Sequence, residues 1–276
     1  MSYIDLARFL IAIPFFAIAS YQDWKDRLIS PTIWFILGFI AFGLDIYQYP
    51  TLIGIIALIP SIILFYEWFF EWEGREKYIQ YALWIIAFGI FVYSIISYAP
   101  SPLLVMFILL IIFRVLHKIK VIRGRADTRA LMSIAILQPI YPSFFGFPIF
   151  VPPYIEIVEL TFPFAFLTLL YAAIAALMFI LYLFFRNLAR RDIGFPEMFI
   201  GYRIPIEEVD KKHVWLMERV ENGEHVLYVH PSSHTKEDID KLKKIGRDRV
   251  WIQPKIPFII FITIGLIAAY LLGNFI

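Results

Sequence analysis

Two aspartates stand where an apolar chain makes them costly. Asp23 closes the apolar run Leu6–Tyr21, and Asp127 opens the apolar run Ala130–Ile140. A carboxylate beside hydrocarbon needs a reason. Two carboxylates that share one water can hydrolyse a peptide bond if one is protonated and the other ionised. Close carboxylates do not both ionise easily, so their titrations split. Helix polarity suggests the roles: Asp127 at a positive helix N-terminus is the base, and Asp23 at a negative C-terminus is the acid. Plain structural readings compete with this chemistry. Asp23 could be an interfacial carboxylate paired with Lys25 or Arg27, and Asp127 could be a helix N-cap. Asp26 lies further into the polar linker. Just before Asp127, Gly124 permits a tight turn and small Ala126 permits close backbone approach.

The elements that must position these residues are read from composition and hydropathy. The 276 residues are 61% hydrophobic and only 17% charged, with a mean hydropathy of +0.73. A soluble domain is about 45–50% apolar, so this chain is expected to cross a membrane several times. There is no cysteine, which removes disulfides, thiolate metal sites and Cys nucleophiles. Abundant Ile and Phe without Cys would suit a thermophile. The first apolar run lacks a basic flank and a small-residue cleavage site, so it reads as a retained span.

A helical span needs about 20 mainly apolar residues. Eight segments qualify as candidates: 6–22, 32–48, 51–70, 78–99, 102–117, 128–141, 162–186 and 256–275. Gln48-Tyr49-Pro50 and Ala99-Pro100-Ser101-Pro102 read as tight turns between spans. The sixth segment is short, which suits a tilted or lipid-shielded helix. Most basic residues fall in the linkers 23–31, 71–77, 117–127 and 187–255, whereas those near 48–50, 99–102 and 142–161 contain no Lys or Arg. Only Arg8 falls on the second side. The positive-inside rule therefore puts the N-terminus outside and both aspartates at the cytoplasmic face. The apolar, proline-rich segment 142–161 is expected to lie in the outer interface rather than to span.

The expected fold is an all-α integral membrane protein of about eight transmembrane helices, with a small cytoplasmic α+β insert before the last helix. Residues 1–186 form the membrane domain, 187–255 the cytoplasmic module and 256–276 the C-terminal helix. Within the module, Val214–Glu218 and His225–Val229 read as strands around an Asn222-Gly223 hairpin. Thr235-Lys236-Glu237-Asp238 starts a capped helix that Gly246 ends, and Val250–Gln253 is a third strand.

Other constellations carry less chemistry. Glu67, Glu71, Glu73 and Glu76 sit among Trp68 and Trp72 at a cytoplasmic span end. They read as solvated acids in an aromatic belt, or, for Glu71 and Glu73, as a dock for a basic peptide. His225, His230 and His234 lack metal-site spacing, and Ser232 and Ser233 beside a His do not make a triad. Asp45 is expected near the outer interface, remote from Asp23 and Asp127. No metal site, cofactor or nucleic-acid partner is expected.

Tyr21-Gln22-Asp23-Trp24-Lys25-Asp26-Arg27-Leu28-Ile29, ending the first span, resembles the first catalytic block of type IV prepilin peptidases. Gly124-Arg125-Ala126-Asp127 resembles their second block, Gly-x-Gly-Asp. Archaeal members, the preflagellin and archaeal prepilin peptidases, often have a small or hydrophobic residue in place of the second glycine, which fits Ala126. The stretch from Gly201-Tyr202-Arg203-Ile204-Pro205 to Trp251-Ile252-Gln253-Pro254-Lys255-Ile256-Pro257 also looks like the C-terminal region of archaeal members. The resemblance implies a GxGD-type intramembrane aspartyl peptidase with Asp23 and Asp127 as catalytic residues. Its substrates would be archaellin or pilin-like precursors with a basic leader and an apolar helix, cut at the cytoplasmic face of the plasma membrane. Four candidate spans separate the aspartates, where compact archaeal members can have two; the parity, and so the shared face, is kept. The competing class is a small ion- or proton-coupled transporter using the same aspartates. Against it stands the absence of an inverted repeat or paired broken helices.

Overall fold

The computed structural model describes residues 3–70, 72–152, 154–221, 223–229 and 235–274. The chain forms two compact units, Met1–Ala173 with Pro257–Ile276, and Ile174–Ile256.

The first unit is helical. It contains α1 (Tyr3–Asp26), α2 (Pro31–Gln48), α3 (Leu52–Glu67), α4 (Lys77–Ile96), α5 (Ser101–Lys118), α6 (Arg125–Leu137), the short α7 (Ile155–Thr161), the first part of α8 (Phe164–Ala189), and α11 (Phe258–Leu272). The predicted turns set the boundaries. Pro31 and Pro102 occupy the first turns of α2 and α5, where a missing N–H costs nothing. Thr51 caps α3 by accepting from the Gly54 N–H at 3.1 Å. Among the described residues, five helices are long and apolar enough to cross a membrane: α1, α2, α5, α8, and α4 with the turn before it. The helices α3 and α11 are apolar but shorter.

The sixth predicted span is revised most. Helix α6 has 13 residues, about 20 Å of rise, which is less than the ~30 Å hydrocarbon thickness. It starts three residues before the predicted span and ends four before its end. Every residue from Thr128 to Leu137 is buried, because α6 packs against α2, α5 and α11. Among its described residues, the segment 142–161 forms a Phe144–Phe147 turn and the seven-residue α7, which is too short to span. It is fastened to the end of α11 through Ile149 N–H to Leu271 O (3.0 Å) and Phe150 N–H to Leu272 O (2.8 Å).

Aromatic and aliphatic side chains fill the core of this unit, Phe16, Trp34, Phe65 and Phe113 among them. Helices α8 and α11 meet closely at Gly265, where a Cβ would overlap the backbone of Thr168 and Ala172. The core also carries charge. Arg8 of α1 and Asp45 of α2 form an ion pair of 2.6 Å with both side chains fully buried. Beside it, Asp5 accepts from Gln138 Nε2 (3.2 Å) and from the Ser143 N–H (3.1 Å). Tyr270 completes the cluster by donating to Gln138 Oε1 at 3.0 Å.

The second unit ends α8 and continues through α9 (Glu197–Ile200), β1 (Tyr202–Pro205), β2 (Val214–Leu216), β3 (Glu218–Glu221), β4 (Glu224–Leu227), α10 (Lys236–Lys244) and β5 (Arg249–Pro254). One sheet has the order β1-β5-β2 with antiparallel pairing, and β3-β4 is a separate antiparallel hairpin. The predicted first hairpin strand is thus two strands. The chain breaks at Met217, whose N–H bonds Trp251 O (3.0 Å) while its carbonyl accepts from the Tyr228 N–H (2.6 Å). Val214–Leu216 serves β5, and Glu218–Glu221 serves the hairpin. The third predicted strand is β5. Helix α10 has the predicted capping box: Asp238 N–H donates to Thr235 Oγ1 (3.3 Å), and Thr235 N–H donates to Asp238 Oδ2 (2.8 Å).

Removing one partner of a buried ion pair leaves a stranded charge and costs about 3–5 kcal/mol. Arg8→Met alone is therefore expected to destabilise the protein by that amount in detergent unfolding. The double change Arg8→Met with Asp45→Leu should recover most of the loss. Equal instability of single and double variants would show that the pair is not the source.

Candidate active site

Asp23 lies in the last turn of α1, half-buried, with Lys25 and Asp26 exposed beyond it. The helix stops because Arg27 takes a positive φ of 57°. Gln22 then ties the exit of α1 to the approach to α2 by accepting from the Ser30 N–H at 3.0 Å. Of the two basic partners suggested for Asp23, Arg27 is the nearby charge. Its guanidinium lies 6.0 Å from the Trp24 ring.

Asp127 is not an N-cap. Gly124 holds that position, with φ −81° and ψ 128°, and Asp127 is the third residue of α6. The Thr128 N–H and hydroxyl both donate to Gly124 O, at 3.1 and 3.0 Å. Gly124 is therefore not required for its backbone angles, which any residue can adopt. It is required for its missing side chain, since a Cβ there would fall on the Asp127 carboxylate. Asp127 folds back over the glycine, and Ala126 is half-buried in the same turn.

The scaffold brings the two aspartates to one end. Asp5, in the first turn of α1, is hydrogen-bonded to Gln138, just past the end of α6. The two helices therefore run in opposite senses, and the end of α1 lies toward the start of α6. Both helices pack on α2 and α11. Asp23 lies close enough to Asp127 for its charge to act on it. No hydrogen bond joins the two carboxylates among the described residues. Asp127 opens on a cavity of about 230 Å³ lined also by Val121, Ile122, Arg123 and Phe258. That is room for several waters, each of which takes about 30 Å³ in the liquid.

Of the two residues suggested to bind a basic peptide, Glu73 is exposed just before a short helical turn, and Glu71 lies outside the described residues. Glu67 is not a solvated acid. It is 4% exposed and ion-paired with Arg114. The sequence does not reveal that pairing, because the partners sit on α3 and α5. Asp45, expected to lie away from Asp23 and Asp127, is ion-paired with Arg8 in the core. His225 binds Glu218 Oε2 at 2.8 Å; His230, His234, Ser232 and Ser233 lie outside the described residues. No cluster of metal-ligating residues occurs among the described residues. Arg123, on the cavity wall, carried no signal in the sequence beyond its basic character.

Residues 195–275 match the family model described as Archaeal Peptidase A24 C-terminus Type II. The match takes in the sheet β1-β5-β2, the hairpin and α11; it does not reach Asp23 or Asp127. No curated protein matches the chain. The chain thus combines several helices long and apolar enough to cross a membrane with a C-terminal region similar to that of archaeal A24 peptidases.

Proposed function

We propose that the protein is a membrane aspartyl endopeptidase that removes the basic leader from archaellin or type IV pilin-like precursors at the cytoplasmic membrane interface. The observation that carries this reading is the arrangement of Asp23 and Asp127. They sit at adjoining ends of oppositely running helices, within reach of each other's charge, with Asp127 open to a cavity. The lysine and arginine bias of the linkers supports a cytoplasmic site and an external N-terminus.

The reaction needs only the two carboxylates and water. Asp127, in the positive first turn of α6, takes a proton from a water held between the pair. The water oxygen attacks the carbonyl carbon of the scissile bond while protonated Asp23 gives its proton to the carbonyl oxygen. The tetrahedral diol then collapses: Asp127 returns its proton to the leaving nitrogen, the C–N bond breaks, and one diol hydroxyl gives its proton back to Asp23. Both groups end as they began. The apolar helix of the precursor stays in the bilayer, and acidic residues are candidates to receive its basic leader, Glu71 and Glu73 by sequence.

Removing a general acid or base costs about 10²–10⁴-fold in rate. Asp23→Asn and Asp127→Asn, each tested with a co-expressed precursor carrying a basic leader and an apolar helix, are expected to lose at least about 100-fold in cleavage at normal protein levels. Cleavage that survives either change would sink the two-carboxylate mechanism. Ion flux lost in a chain that never cleaves would favour the transporter.

The pair must titrate jointly. The cleavage rate should therefore rise and fall with pH as one proton, and then the second, leaves the pair. A rate that is flat across the acidic range would contradict a shared proton.

Gly124→Ala should fold, since its backbone angles suit alanine, yet it must push the Asp127 carboxylate aside. Misplacement of about 1 Å costs up to about 100-fold in rate. The expected result is a 10- to 100-fold lower kcat with little change in KM; full activity would show that the carboxylate works from elsewhere.

A further inference from the structure

We infer that Trp68 is a positioning residue for Asp127: it is the fixture to which the chain on both sides of that aspartate is tied. The inference rests on the catalytic role proposed for Asp127 and names what holds the carboxylate in place.

Trp68 follows α3 directly and is itself held. Glu67, the last residue of α3, is ion-paired with Arg114 of α5. The same carboxylate accepts from Trp72 Nε1, Gln80 Nε2 and Trp84 Nε1, each at 3.0 Å. The Arg114 guanidinium in turn lies 4.4 Å from the Trp68 ring and 5.1 Å from the Trp84 ring. A cation over an indole face is attracted to it, and more strongly where water is excluded. Trp68 thus has no free rotation: its backbone is set by Glu67 and its ring by Arg114.

Two ties run from Trp68 to the start of α6. On the upstream side, the His117 ring meets the Trp68 ring edge-to-face, with centroids 5.5 Å apart. His117 Nδ1 lies 3.1 Å from Ile122 O. A carbonyl only accepts, so that nitrogen carries the proton. Ile122 shares the cavity wall with Asp127. On the downstream side, Arg129 Nη2 donates to Trp68 O at 3.3 Å, and the Arg125 guanidinium stands 5.8 Å from the Trp68 ring. Arg125 and Arg129 lie two residues before and after Asp127. The first turn of α6 is therefore gripped on both sides of its carboxylate by one residue of another helix pair.

The chain contains no cysteine, so Asp127→Cys gives a single site for a nitroxide label. With the full chain in detergent, Trp68→Ala is expected to raise the mobility of that label, while Trp68→Phe, which keeps a ring, leaves it close to the parent. On the unlabelled enzyme and a precursor peptide, Trp68→Ala should lower kcat about tenfold or more with KM within about twofold, since the carboxylate moves and the peptide-binding surface does not. Trp68→Phe should restore at least half the rate. If Trp68→Ala does not fold, His117→Leu replaces it with the same label; it cuts one of the two ties, so a higher label mobility and a smaller kcat loss of about threefold are expected. An unchanged label and an unchanged kcat in a folded variant would overturn the positioning role. Loss of the catalytic reading shows differently: Asp127→Asn would still cleave, whatever the label does.

Discussion

In an apolar bundle, a charge or hydrogen-bonding group away from water must find its partner within the protein. This constraint orders the first unit. Arg8 is answered by Asp45, and Glu67 by Arg114 together with two indole N–H groups and an amide. Asp5 is answered by Gln138 and the Ser143 backbone. Each solution joins separate elements of the unit, so neutralising the charge and fixing the elements are one event. Asp23 and Asp127 stand apart from this pattern. Asp127 faces the like charge of Asp23, Asp23 has Arg27 nearby, and among the described residues neither carboxylate receives a hydrogen bond. Carboxylates placed this way are candidates for chemistry, which is the role proposed for them above.

The placement of Asp127 follows from the shortness of α6. A helix too short to cross the bilayer and buried from Thr128 to Leu137 is held by protein along most of its length, which anchors the half-buried first turn that precedes it. Sites on rigid elements with locked supports hold geometry better than sites on loops. Gly124 supplies the opposite need, empty space, since the carboxylate occupies the volume a side chain would fill. The start of α6 thus combines a missing side chain beneath the aspartate with Trp68 holding its flanks.

Much of this was legible in the sequence because it depends on local rules. Proline at the starts of α2 and α5, the Thr235–Asp238 cap, and the helix-end positions of both aspartates follow from short-range chemistry. The failures share a different cause. The burial of Glu67 depends on Arg114, 47 residues later, and hydropathy alone reads an acid beside tryptophans as wet. The split of the predicted strand at Met217 depends on its N–H bonding Trp251 while its carbonyl bonds Tyr228, two partners in different strand pairings. The N-cap reading of Asp127 failed because the helix starts earlier, at Arg125, once Gly124 can accept from Thr128 twice. In each case a long-range contact or a backbone group decided, and neither is visible to a sequence pattern.

The helices between the two aspartates acquire a purpose from this. A dyad needs only an even number of crossings to put its members on one face, so parity alone leaves α3, α4 and α5 without a task. The structure gives them one. Glu67 and Trp68 come from the end of α3, Gln80 and Trp84 from α4, and Arg114 and His117 from α5. Those from α4 and α5 converge on Glu67 and Trp68, and Trp68 in turn meets Arg125 and Arg129 on either side of Asp127. A carboxylate that must hold a water against a peptide carbonyl gains rate only if its position is settled before the substrate arrives. A buried ion pair is a poor source of net stability; on the proposal made above, what it contributes is the fixed direction it gives Trp68, and through Trp68 the aspartate.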